Sequence, residues 1–469
     1  MEPRKRIYFV SLGCPKNQVD TEVMLGISDH EGFELVQDPK AADTLVVNTC
    51  GFIDAAKEES VDTILELVQI KQDSTSGPKQ LVVTGCLSQR HSDELAEEIP
   101  EVDHFLGSAD MLGLRAVLRG QGQRVLVSKL DRRAYLYDHD APRKTFGHAH
   151  RQFVKIAEGC DRPCAFCIIP KLRGPQRSRD IPSLVQESRT LVERGAREIA
   201  LIAQDLTTYG SDFEQRGLAE SNLEQLLDEL TKIPDLTWIR LHYAYPTTTT
   251  PGLIERIAEN PKIASYLDVP LQHIDSTVLK RMRRGYTEKS VRALVERLES
   301  ANNHIWLRTT MLVGHPGESE SAYHRLRDFI AEGHVDHLGV FPWSQESGTA
   351  AAMLPDRIDR EVAEQRAEEL MQIQEAHREQ SHRKLLGKVL DVMVDGTSDE
   401  SEFLLDARHE GQAPEIDGKV ILCDGDAAPG SIVKARVIQS SPHDLICSMD
   451  LDRPIDDDGA LDELDELDD

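Results

Sequence analysis

Lys155-Ile-Ala-Glu-Gly-Cys160-Asp-Arg-Pro-Cys164-Ala-Phe-Cys167-Ile-Ile-Pro170 sets three cysteines at Cys-x3-Cys-x2-Cys spacing, directly after a strand-like run from Phe153 to Ala157. On a tight loop that spacing lets three sulfurs converge on one small object. Structural zinc usually takes four protein ligands, and a catalytic zinc triad is rarely built from three cysteines so close together. A 4Fe-4S cube is normally held by four thiolates, so three would leave one iron open to chelate something else. The competing reading is a buried or zinc-binding cysteine knot. Gly159 before the first cysteine and Phe166 beside the third favour a tight cluster loop.

The same spacing resembles the radical S-adenosylmethionine (SAM) superfamily. That resemblance implies an open iron that binds SAM, and a reduced cluster that cleaves it to a 5′-deoxyadenosyl radical. Outward from the loop, apolar runs alternate with helical stretches: Glu198 to Ala203, Thr237 to His242, Tyr266 to Leu271, Ile305 to Val313 and Leu338 to Phe341. With the run at Phe153 they make about six βα units, too few for a complete eight-stranded barrel. The expectation is a partly open (β/α) barrel, the cluster loop after its first strand and its cavity at the strand ends. A long charged helix, Asp356 to about Leu386, leads out of it.

Toward the N-terminus one arrangement recurs three times. Ile7 to Gly13 ends at Cys14, Thr44 to Thr49 at Cys50, and Leu81 to Gly85 at Cys86. Each run is short and rich in β-branched or aromatic residues, as suits a strand buried on both faces. Helical stretches at Asp20–Glu31 and Asp54–Gln72 separate them, which predicts a doubly wound parallel sheet. Ligands of such sheets sit beyond the carboxyl ends of the strands. A single cysteine there reads as inert core; three at the same station on three strands point to a second cluster, again one ligand short. Asp103 to about Gly120 supplies a last strand and helix, and Val125 to His150 reads as a polar connector with one hairpin.

Beyond Gly387 the pattern changes to five short strands, Lys388–Val394, Glu402–Asp406, Lys419–Cys423, Ser431–Ile438 and Asp444–Cys447, as in a small antiparallel barrel. The expected organisation is therefore 1–144, 145–386, 387–450 and a disordered acidic tail, 451–469. The chain has 469 residues, 54 Lys and Arg against 82 Asp and Glu, and a formal net charge of -28. From Ser381 to Asp450 there are seven basic and thirteen acidic residues, and Leu451–Asp469 adds ten acidic residues and one Arg. A barrel that binds RNA should be basic. The eight cysteines are not spaced like a secreted disulfide framework. No stretch approaches the roughly 20 apolar residues that span a bilayer, and the basic start Met1–Arg6 leads only into a strand-length run. Together these place the protein in the cytoplasm, away from membranes.

Over nearly its whole length to about residue 450, the chain resembles the methylthiotransferase family of radical SAM enzymes. Ser11-Leu-Gly-Cys-Pro-Lys-Asn-Gln-Val-Asp20, Gly159 through Gly174, and Ala203-Gln-Asp-Leu-Thr-Thr-Tyr-Gly210 are similar to its RimO-like branch, which modifies a ribosomal protein. The resemblance implies that Cys160, Cys164 and Cys167 hold the radical-generating 4Fe-4S cluster and Cys14, Cys50 and Cys86 an auxiliary one that binds the sulfur. It implies SAM consumed both as methyl donor and as radical source. The reaction would replace a hydrogen on the β-carbon of one aspartate in the twelfth small-subunit ribosomal protein, free or in an assembling subunit, by a methylthio group. That C–H bond is unactivated, which is why a cofactor carries the step. An electron donor such as flavodoxin or ferredoxin and a sulfur source would be needed. The alternatives are the tRNA adenosine (MiaB-like) branch and a non-enzymatic two-cluster redox protein. Acidity in the small barrel suits a basic protein loop better than tRNA; its bland alternative is solubility or a saline habitat.

Weaker signals remain. Gln204 and Asp205 follow the second strand of the barrel and are candidates for SAM's amino group or ribose, with helix capping as the plain alternative for Asp205. Gly314 and Gly317 could bring backbone N–H groups toward SAM, or form a plain βα turn. One of Arg173, Arg177 and Arg179 could pair with the SAM carboxylate, against a solvated charge for any of them. Gln272 to Arg284 reads as packing, and Cys423 and Cys447 as unliganded.

Overall fold

The computed structural model describes residues 4–73 and 77–455. Its first part runs β1 (Arg6–Ser11), α1 (Pro15–His30), β2 (Glu34–Leu35), β3 (Thr44–Thr49), α2 (Asp54–Asp73), β4 (Gln80–Gly85), α3 (Cys86–Glu98), β5 (His104–Leu106), α4 (Gly113–Leu118) and β6 (Val125–Leu126). The strands form one parallel sheet in the order β2-β1-β3-β4-β5-β6. Alternation along each strand explains the two covered faces. Leu45, Val47, Leu81 and Val83 pack with Ile64, Leu67 and Val68 of α2 and Leu87 and Leu95 of α3. Val46, Val82 and Leu106 meet Val19, Val23 and Ile27 of α1 and Leu114 and Val117 of α4. Each such side chain contributes roughly 1.5–3 kcal/mol on burial.

Two local readings change. The first helix starts at Pro15 rather than Asp20, with Cys14 as its N-cap; a proline at the first helical position forfeits no hydrogen bond. Val125–Leu126 is a sixth parallel strand against β5, not part of a hairpin, and two residues are too few to show a period.

The central part contains β7 (Arg151–Lys155), β8 (Ala157–Glu158), α5 (Ile169–Arg173), β9 (Arg177–Ser178), α6 (Ile181–Glu193), β10 (Glu198–Ile202), α7 (Leu223–Leu230), β11 (Trp238–Leu241), α8 (Pro251–Glu259), β12 (Ile263–Asp268), α9 (Ser276–Arg281), α10 (Glu288–Glu299), β13 (Trp306–Val313), α11 (Glu320–Ala331) and β14 (His337–Pro342). Six strands pair in parallel, β14-β13-β12-β11-β10-β7, without closing. This is the expected partly open barrel. β8 and β9 pair antiparallel and bracket the cysteine loop.

After α12 (Arg360–Arg383) come β15 (Val389–Thr397), β16 (Leu405–His409), β17 (Val420–Leu422), β18 (Ile432–Ser440) and β19 (Leu445–Ser448), which close into a barrel. Four of its pairs are antiparallel; β17 and β19 run parallel. An odd number of strands cannot close with every neighbour reversed, so an antiparallel barrel of five must contain such a pair. Among the described residues no helix is long and apolar enough to cross a membrane. Of the acidic tail, 456–469 lie outside the described residues.

The small barrel is anchored to the central sheet through the segment joining β16 to β17. Arg240 donates to the Glu410 carbonyl at 2.7 Å, Tyr266 to Asp417 at 2.9 Å and Arg308 to Asp417 at 2.8 Å. His337 is 2.7 Å from the Gly411 carbonyl, and Arg408 reaches Glu198 at 2.8 Å and Asp395 at 2.6 Å. Glu198 and His337 begin their strands, and Arg240 and Arg308 lie within three residues of the start of theirs. The small barrel thus covers the amino ends of the sheet and leaves the carboxyl ends free.

Candidate functional site

At those carboxyl ends lies a cavity of about 370 Å³ that opens between the two parallel sheets. Its lining includes all six cysteines singled out above: Cys14, Cys50 and Cys86 from one sheet, and Cys160, Cys164 and Cys167 from the other. The first three follow β1, β3 and β4, which are neighbours in the sheet. The close approach there depends on Gly13: its φ is +86°, and a β-carbon would stand 2.9 Å from Cys50 Cβ and 3.1 Å from its Sγ. Cys423 and Cys447 sit in the small barrel instead.

Burial sets the chemistry of these thiols. It pushes Cys86 up to about 11, Cys160 to about 11 and Cys167 to about 12, and raises Cys50 as well. Positive charge opposes burial at both trios: Arg173 Nε is 3.2 Å from Cys86 Sγ, and Arg284 Nη1 is 3.2 Å from Cys164 Sγ. Bound metal would remove the protons outright. Among the described residues no three His, Cys, Asp or Glu side chains are grouped closely enough to hold a single metal ion. Two thiol trios, each beside a guanidinium and open to one cavity, suit a larger anionic cluster.

Beneath the cavity a buried ionic network joins the two sheets. Arg173 Nη1 is 2.6 Å from Asp20 and 3.2 Å from Glu158; Lys155 is 2.6 Å from Glu158 and also donates to Asp20. Arg173 donates to Asn17 as well, and Gln204 to Glu158 at 2.6 Å. Burial alone would raise the Glu158 carboxyl, but Lys155 and Arg173 outweigh it and hold it far below the carboxylate range. Asp20 and Asn17 stand on α1, so the network fixes one cysteine trio against the other.

Of the weaker candidates, Gln204 and Asp205 line the cavity. Asp205 accepts from Arg162 at 2.7 Å and from the Thr207 hydroxyl at 2.9 Å, and its side chain makes no helix-capping hydrogen bond. Gly314 and Gly317 are not among the lining residues; side chains there would run into Ala363 and Arg281. None of the three arginines is solvated. Arg177 donates to the backbone carbonyls of Asp131 and Arg173, and Arg179 to Glu187 and Ser183; only Arg173 reaches the cavity. Gln272 and Arg284, read from sequence as packing, line it too. Arg284 lies over the rings of Tyr245 and Tyr286, 4.5 and 5.3 Å from their centroids. Tyr243 and Gln272, on the cavity wall, hold φ of +65° and +69°, a strained conformation that tends to gather at functional sites.

Three family models match in succession: Uncharacterized protein family UPF0004 over 6–107, the Radical SAM superfamily over 154–330 and the TRAM domain over 386–449. The ribosomal protein uS12 methylthiotransferase RimO of Sorangium cellulosum is 45% identical over 447 residues, covering 94% of this chain and 90% of the relative. The Myxococcus xanthus protein of the same name is 44% identical over 451 residues, 96% and 92% of the two chains. Among solved structures, the radical SAM methyltransferase TsrM from Kitasatospora setae, with cobalamin and a [4Fe-4S] cluster bound, matches with a TM-score of 0.54 at 15% identity, covering 75% of this chain and 77% of that one. At that identity the likeness is one of fold.

Proposed function

Because the chain belongs to the RimO family of ribosomal protein uS12 methylthiotransferases, a radical SAM family, we propose that it replaces a hydrogen on the β-carbon of one uS12 aspartate by a methylthio group. The observation that carries this reading is the pair of cysteine trios, from two separate sheets, bordering one cavity. Cys160, Cys164 and Cys167 would hold one 4Fe-4S cluster and Cys14, Cys50 and Cys86 the other, and SAM would occupy the space between them. When bound, these groups supply a carbon radical able to take an unactivated hydrogen, and a sulfur with its methyl group.

The protein's own side chains do the rest. Arg173 and Arg284 lend positive charge to the two trios, offsetting the cost of anionic sulfur in a buried site. Gln204 and Asp205 offer polar contacts on the cavity wall, where SAM's amino group or ribose could be received. Burial around the trios excludes water that would quench a radical. The small barrel carries excess acid and lies at the opposite end of the central sheet, so its charge acts on the approach of a basic ribosomal protein rather than inside the cavity. The cytoplasm, where such a substrate is made, is the place of work.

Mass spectrometry of uS12 and of tRNA nucleosides from a deletion strain tests the reading. Loss of the methylthio mass from uS12, restored by the gene, supports it. If uS12 kept that mass while tRNA lost its own methylthio group, the substrate assignment would be wrong. Absence of 5′-deoxyadenosine from the reduced protein given SAM would favour a plain redox carrier.

A further inference from the structure

Lys16 carries an ammonium that no carboxylate pairs among the described residues, in a place where burial works against its charge. It is 8% exposed and lines the cavity two residues after Cys14. Its ammonium lies 3.8 Å from the Tyr243 ring centroid and donates to the Ala203 carbonyl at 3.2 Å. Among the described residues no carboxylate forms an ion pair with it. The negative groups around it act only at a distance: Cys14 first, then Glu158, which is engaged by Lys155, Arg173 and Gln204, and Asp268, which accepts from the Tyr243 amide at 3.2 Å. An ammonium has three donors, so Lys16 retains hydrogen-bonding capacity on the side facing the cavity. Its ring support is itself held in the strained left-handed conformation, φ +65°. Buried, unpaired charge is tolerated where a ligand completes the pair.

We propose that Lys16 receives the side-chain carboxylate of the substrate aspartate. The inference rests on the uS12 reading, which supplies an anion of the right size and charge. Held by one oxygen or both, the aspartate would enter the cavity carboxylate first, with its β-carbon one bond away and facing the space between the trios. Lys16 is on this account a substrate-binding residue that selects aspartate over its neutral isosteres.

The test uses full-length protein, anaerobically reconstituted, with intact uS12 and with uS12 in which the modified aspartate is asparagine. Wild-type enzyme is expected to bind and process the aspartate form at least about 30-fold better than the asparagine form, as loss of one member of a desolvated charged pair implies. Lys16→Met should reduce that preference to within about 3-fold, mainly through KM and Kd for uS12, with iron content and SAM-dependent 5′-deoxyadenosine formation retained. Lys16→Arg should keep a substantial part of the preference, since it keeps the charge. A Lys16→Met protein that still prefers aspartate fully would overturn the proposal. So would one that loses iron or stops cleaving SAM without substrate, since Lys16 would then serve the cofactors. If wild-type enzyme does not modify uS12 at all, the functional reading fails first and the proposal falls with it; the two failures are separated by the wild-type reaction alone.

Discussion

Replacing Arg173 with methionine should strip the central charge from the network that joins the two sheets. Its guanidinium is 2% exposed, 2.6 Å from Asp20 and 3.2 Å from Glu158. At an effective dielectric near 20, each contact carries roughly 5 kcal/mol of raw attraction. Lys155 alone would then face two carboxylates. Desolvation already counts against the native pair, so the expected net loss is that of breaking a buried pair, about 3–5 kcal/mol. The pH dependence follows from the depressed Glu158 carboxyl. A carboxylate held below its unfolded value stabilises the fold above that value and ceases to as pH falls through the folded one. The variant loses part of that depression, so its deficit should stay full from neutrality down to pH ~4 and shrink only below that, as pH falls through the folded values of the two proteins. Urea denaturation followed by circular dichroism, scoring the first transition because the chain has several cores, measures this across that range. A Lys replacement should rescue only partly, since one ammonium cannot reproduce the guanidinium fork. A variant within about 1 kcal/mol of wild type at neutral pH, or a deficit that grows on acidification, would refute the reasoning.

Glu198→Gln should loosen the seam between the central sheet and the small barrel, because Arg240 and Arg408 lose their shared carboxylate; a cost of about 3 kcal/mol is expected, read as faster protease release of the small barrel. Those arginines outweigh burial and hold Glu198 near 2, so the difference should be full above pH ~4.5 and fade as pH falls toward the folded value. His382, 2.7 Å from the Ser441 carbonyl, is held down to about 4 by burial. It should cost the fold stability as pH falls from about 6.5 to about 4, up to roughly 3 kcal/mol, and His382→Gln should flatten that part of the pH profile. Gly13→Ala forces a β-carbon against Cys50 and should cut the iron content of reconstituted protein by about half, leaving the share held by Cys160, Cys164 and Cys167; unchanged iron would show that this turn can relax.

What the sequence reveals divides along the range of the interactions. β3 and β4, whose apolar runs are buried on both sides, and the six strands of the central sheet show themselves as local patterns. The stations of the six cysteines follow from parallel-sheet topology, and the structure brings all six to one cavity. β2 and β6 escape because two residues carry no period. The start of α1 is misjudged because Cys14-Pro15 reads as loop until proline is recognised as a helix opener. Arg284 and Lys16 could not be singled out at all. One lies 120 residues from the thiol it touches, and the other gains its meaning from Tyr243, more than two hundred positions away, so neither leaves a local pattern.

The central claim is that each trio holds its own cluster. Iron and acid-labile sulfide, determined after anaerobic reconstitution of the wild type and of two triple alanine variants, test it most directly. The account predicts about eight of each per wild-type chain and about four in either variant, at Cys14, Cys50 and Cys86 or at Cys160, Cys164 and Cys167. Wild type with about four, unchanged when Cys14, Cys50 and Cys86 are replaced, would contradict it.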